Sequence, residues 1–97
     1  MKAIFIAFDQ AYYEQVQAIL RTHNVRGFTG WENVQGRGSE TGIPHLGTHA
    51  WPSMNSAFIT IVEETKVKPI LEDLKALDLT STLMGLRAFV WNIEDVM

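Results

Sequence analysis

The apolar residues of this chain change period twice in the same order, once on each side of a stretch that has no period. Residues 3–8 are apolar at every position, which marks a strand buried on both faces. Asp9 ends the run and is suited to cap a helix. Tyr12 or Tyr13, Val16, Ile19 and Leu20 then recur at helical spacing, with Glu14, Gln15, Gln17 and Arg21 on the other face. His23 and Asn24 close that helix, because Asn tolerates the left-handed conformation that helix ends often need. Residues 27–35 read as a second strand through Phe28, Thr29, Trp31 and Val34. Gly30 and Asn33 are poor strand residues and predict a bulge there. Beyond the aperiodic stretch, residues 57–62 form a third strand. Thr65 is expected to cap a second helix striped by Val67, Ile70, Leu71 and Leu74, with Pro69 in or just past its first turn. A polar turn over 80–85 leads to a last strand over 86–93.

That order predicts an α+β, ferredoxin-like βαββαβ fold, with a four-stranded antiparallel sheet and both helices on one face. The 97 residues suffice for one domain with one core. Two helices cover only one face of a sheet, yet the first strand is apolar on both. The last strand likewise sets Phe89 and Trp91 opposite Ala88 and Val90. The second face needs a cover, and self-association into a homo-oligomer supplies it economically.

Composition narrows the function classes. Hydrophobic residues at 46% and charged ones at 20% exclude intrinsic disorder and fibrous repeats. The absence of cysteine excludes a disulfide framework, a thiolate zinc site and a cysteine nucleophile, and it fits a reducing cytoplasm. The net charge is -3, and the Lys and Arg residues are spread along the sequence without a basic stripe. Nucleic-acid binding is therefore not expected. The apolar start spans about six residues, short of a signal-peptide core. No stretch approaches the ~20 apolar residues of a membrane span. A soluble protein without membrane insertion is expected.

Residues 36–56 carry the candidate chemistry, since ordinary connections run ~4–6 residues and this one is far longer. Gly36-Arg37-Gly38 follows a strand, but no helix starts there, so it is no dinucleotide fingerprint. It does suit a tight turn whose N–H groups, with the Arg37 guanidinium, hold a phosphate or carboxylate. His45 and His49 stand four apart, with Glu40 before them and Trp51 and Met54 after. Imidazole with thioether favours a copper ion, and His45 and His49 are the candidate metal ligands. Pro44, Gly47 and Pro52 argue against a helix that would align them. Ser39, Ser53 and Ser56 lack the strand–Ser–helix elbow of a nucleophile. Glu63-Glu64 and Glu72-Asp73 read as solvated charge, and His23 as a helix-end residue. Trp31, Trp51 and Trp91 read as core or interface aromatics. With no acid–base constellation, an enzyme is not expected.

On these residues the chain resembles the PII signalling family. Val34-Gln35-Gly36-Arg37-Gly38 resembles the family's Val-Lys-Gly-x-Gly at the base of its long T-loop. The segment 36–56 falls in the T-loop interval, between the second and third strands. The closing run from Gly85-Leu86-Arg87-Ala88-Phe89 to Glu94-Asp95 resembles the family's Gly-Lys-Ile-Phe-Val-(aromatic)-Asp-Val-Glu. The resemblance implies a single PII-like domain over 1–97 and a cytoplasmic homotrimer that binds a small effector between subunits to control a partner. Gly36, Arg37, Gly38, Gly85 and Arg87 would line a cleft for ATP or ADP, with Arg87 near the family's phosphate-binding lysine. The strand into Gly36 is one residue longer than the family's, and the loop is shorter and lacks the tyrosine modified in some members. The chain also reaches Met97 before the family's basic ATP-gripping residues. Such divergence is similar to branches found beside membrane transporters, some for heavy-metal efflux. Two alternatives stand beside this reading: a copper- or zinc-binding trimer of the divalent-cation tolerance type, and a small dimeric ferredoxin-like oxygenase.

Overall fold

The computed structural model describes residues 1–36, 54–80 and 85–97. In chain order these form β1 (Lys2–Asp9), a 3-10 turn (Gln10–Tyr12), α1 (Tyr13–Thr22), β2 (Thr29–Val34), β3 (Asn55–Val62), α2 (Glu64–Asp78) and β4 (Arg87–Asn92). The strands make one sheet in the order β2-β3-β1-β4, every neighbouring pair antiparallel. Each helix therefore crosses over a strand of the other half, as the βαββαβ pattern requires. β1 lies in the middle of the sheet, which explains why a run without a polar residue forms a strand there.

Ile4, Ile6 and Phe8 of β1 and Phe58 of β3 are fully buried under α1 and α2. They meet Val16 and Leu20 from α1 and Ile70 and Leu74 from α2 in a single core cluster. Burial of each such side chain stabilises by roughly 1.5–3 kcal/mol. Phe58 is the hub of the aromatic packing, with ring centroids 5.3 Å from Phe8, 5.0 Å from Tyr13 and 4.8 Å from Phe28.

The boundaries follow local chemistry. The Asp9 carboxylate accepts from the Ala11 N–H at 2.8 Å and turns the chain out of β1. Asn24 sits at φ 59, and the Asn24 and Val25 N–H groups return to the carbonyls of Arg21 and Leu20 at 2.9 Å. The bulge expected in β2 is present as a register shift between Trp31 and Val34. There the buried Ser56 hydroxyl donates to the Glu32 carbonyl at 2.5 Å, replacing a ladder bond.

Four expectations are corrected. α2 begins at Glu64 with Glu63 as its N-cap, so Thr65 is not the cap; no side chain among the described residues caps this helix. β3 starts at Asn55, two residues before the expected strand. His23 does more than end a helix, because its Nε2 lies 2.6 Å from Asp73 Oδ2 and ties α1 to α2; Asp73 is correspondingly not a bare solvated charge. The cations scattered in sequence are partly gathered by the fold. Arg21 and Arg26 line one cavity beside Asn24, and Lys66 Nζ lies 3.5 Å from the Asn24 carbonyl. Among the described residues, no helix is long and apolar enough to cross a membrane.

Candidate functional site

The sheet face away from the helices is where side chains of distant segments converge. Register alone sets its pattern. One row crosses the face as Trp31, Ala57, Ala7 and Arg87; the next runs Thr29, Ile59, Phe5 and Phe89. The two central positions of the first row are alanines flanked by an indole and a long guanidinium side chain. The surface therefore sinks in the middle of that row, and a cavity of about 470 Å³ opens there.

Two chain segments close its upper rim. Gly36 follows β2, and an added Cβ would stand 2.3 Å from Asn55 Nδ2, so only glycine lets this backbone lie against the Asn55 amide. Asn55 is 4% exposed, which leaves its amide little room to retreat. Gly85 precedes β4 and holds φ 60, a left-handed conformation that a side chain would strain. The Gln10 N–H donates to the Met54 carbonyl at 3.0 Å, pinning the start of β3 to the end of β1 beside this rim.

Arg87 supplies the cavity's positive charge. Its Nη1 donates to the Leu86 carbonyl at 3.0 Å, and the rest of the guanidinium has no partner among the described residues. A fork of N–H donors above an apolar floor is suited to a carboxylate or phosphate on a ligand with a flat apolar part. Phe5, Phe89 and Trp31 offer aromatic surface for such a part.

Of the residues singled out from sequence, Gly36, Gly85 and Arg87 line this one cavity. Arg37, Gly38, His45 and His49 lie outside the described residues, as does most of 36–56 and the turn over 81–84. No group of three or more His, Asp or Glu side chains able to hold a metal occurs among the described residues. Sequence reasoning missed Ala7, Ala57 and Asn55, and read Trp31 as a core or interface aromatic. The signal for the alanines was their small size in otherwise bulky strands, but only the pairing register brings them side by side.

Comparison with known proteins agrees with this fold. A family model described as nitrogen regulatory protein P-II matches residues 1–97. No curated protein matches the chain. Among solved structures, CPII from Thiomonas intermedia K12, a nitrogen regulatory PII-like protein bound to ADP, AMP and bicarbonate, superposes with a TM-score of 0.77 at 23% identity. That match covers 95% of this chain and 84% of CPII. The apo form of CPII gives a TM-score of 0.72 at 22% identity, covering 95% and 87%. A putative PII-like signalling protein from Thermus thermophilus gives 0.67 at 20% identity, covering 95% and 85%. With a family model that spans every residue, the chain belongs to the nitrogen regulatory protein P-II family.

Proposed function

We propose that the protein is a homotrimeric, cytoplasmic regulator whose open-face cavity forms one wall of an intersubunit cleft for an adenine nucleotide. The observation that carries this reading is the convergence of Gly36, Gly85 and Arg87 on one cavity with aromatic walls. Backbone bare of side chains at Gly36 and Gly85 suits the phosphates, the guanidinium suits their charge, and the rings suit the base. The presence of ADP and AMP in the CPII structure supports the same ligand class. The trimer would bury the open face, where Trp31, Phe89 and Trp91 stand 46%, 57% and 45% exposed in the single chain. The partner it would control is a membrane transporter, recognised through the segment 36–56. The role is regulatory and not catalytic.

Native mass spectrometry of metal-free protein, titrated separately with ATP, ADP, AMP, zinc and copper, tests this directly. Three nucleotides per trimer is the expected result. Uptake of metal without nucleotide would overturn the nucleotide reading and move the site to His45 and His49. A monomer or dimer at micromolar concentration would overturn the trimer.

A further inference from the structure

We propose that the cavity at the C-terminal end of α1 is a second ligand site, taking a small organic anion: a carboxylate or phosphate monoester with an apolar body. The cavity has a volume of about 530 Å³, within the usual range for small-molecule pockets, and shares no residue with the open-face cleft. Its floor is Leu20, Val25 and Phe28, of which Leu20 and Val25 belong to the buried core. Its rim carries Arg21, Asn24 and Arg26.

The position of both arginines follows from the turn that ends α1. Asn24 at φ 59 reverses the chain, so that Arg21 on the last helical turn and Arg26 beyond the turn face the same hollow. An arginine at a helix C-terminus commonly bonds the last carbonyls. Here the backbone already serves them. The Ile19, Leu20 and Arg21 carbonyls accept from the N–H groups of His23, Asn24 and Val25 at 2.9–3.3 Å. Neither the Arg21 nor the Arg26 guanidinium has a hydrogen bond or ion pair among the described residues. Glu63 lines the adjoining cavity with Arg26 and Lys66 but forms no ion pair with either among those residues. The cationic side of the turn is thus extended by Lys66, whose Nζ approaches the Asn24 carbonyl.

Two guanidinium forks that the protein leaves unpaired, above an apolar floor, fit a ligand with one anionic end. An inorganic anion alone would leave the floor uncovered, and a neutral apolar molecule would leave the forks unused.

The test uses the full chain, labelled with ¹⁵N, and three probes that share one phenyl ring: phenyl phosphate, benzoate and benzyl alcohol. Saturable amide shifts over residues 20–28 with phenyl phosphate, benzoate or both are expected, and benzyl alcohol should bind about tenfold or more weakly. The Arg21→Gln/Arg26→Gln variant should keep its amide dispersion, since both side chains are exposed, and should lose affinity for the anions about tenfold or more. Three results would each overturn the site: no saturable shift over 20–28, equal binding of benzyl alcohol, or undiminished binding by the double variant. Shifts confined to Gly36 and residues 85–89 would also overturn it, by placing the anion in the open-face cleft.

Discussion

The two faces of the sheet are built from alternate residues of the same strands, and they have been completed in different ways. Under the helices, Ile4, Ile6, Phe8, Phe58 and Val62 are at most 4% exposed, and the polar members Ser56 and Thr60 each donate to a main-chain carbonyl. On the other face, Trp31, Ile61, Phe89 and Trp91 keep 38–57% of their surface in contact with solvent. The helix-side face is finished within the chain. The open face is apolar but unfinished, and its cleft lies where Ala7 and Ala57 adjoin. Under the proposed function the two faces divide the labour: one makes the domain stable, and the other makes it assemble and bind.

The sharpest break of that contrast is Phe58→Ala. Losing the ring that touches Phe8, Tyr13 and Phe28 should cost about 3–5 kcal/mol in urea denaturation. A cost under about 1 kcal/mol would mean the helix-side face is not the seat of stability. Trp91→Asp on the open face should instead leave the far-UV circular dichroism intact while breaking the proposed trimer into single chains in native mass spectrometry. A trimer that survives a buried charge there would refute the assembly role of this face.

Gly30→Ala tests how tightly the helix-side face is packed at its edge. The added Cβ would stand 2.9 Å from the buried Phe58 ring, so a loss of about 1–3 kcal/mol is expected. On the open face, Arg87→Gln should leave thermal stability unchanged and weaken ADP binding by about tenfold, or ~1.4 kcal/mol, in calorimetry. Unaltered ADP affinity would remove Arg87 from the proposed cleft.

These differences also mark what was legible in the sequence. Unbroken apolar runs and period-3.6 patterns report which residues are buried, so β1, α1 and the core of α2 could be read directly. The bulge in β2 was legible because Gly30 and Asn33 disfavour a regular strand. Pattern does not report pairing register, which alone brings Trp31, Ala57, Ala7 and Arg87 into one row. Long-range polar contacts were hidden for the same reason: nothing near His23 in sequence points to Asp73. Of the cleft glycines, Gly36 was legible as part of a Gly-Arg-Gly turn suited to an anion, and Gly85 only through family resemblance. Gly36 and Gly85 each have a physical reason to be glycine, but the reasons are a side chain from β3 and a left-handed backbone, neither visible locally.

Thr60→Val addresses the smallest part of the contrast, the polar atoms on the covered face. Thr60 is 2% exposed, and its hydroxyl donates to the Gly27 carbonyl at 2.6 Å, just before β2 begins to pair with β3. Valine keeps the shape and the β-branching but removes the donor. If Gly27 were buried, its orphaned carbonyl would cost the full desolvation penalty of about 1–3 kcal/mol. Gly27 is exposed, so water can replace the hydroxyl, and a loss nearer ~0.5 kcal/mol is expected. The substitution should be felt more in the edge than in the core. Amide exchange should quicken at residues 27–29 and stay slow in β1. A loss above about 2 kcal/mol would mean that this hydroxyl holds β2 on the sheet, and that the covered face depends on a polar contact as much as on its apolar packing.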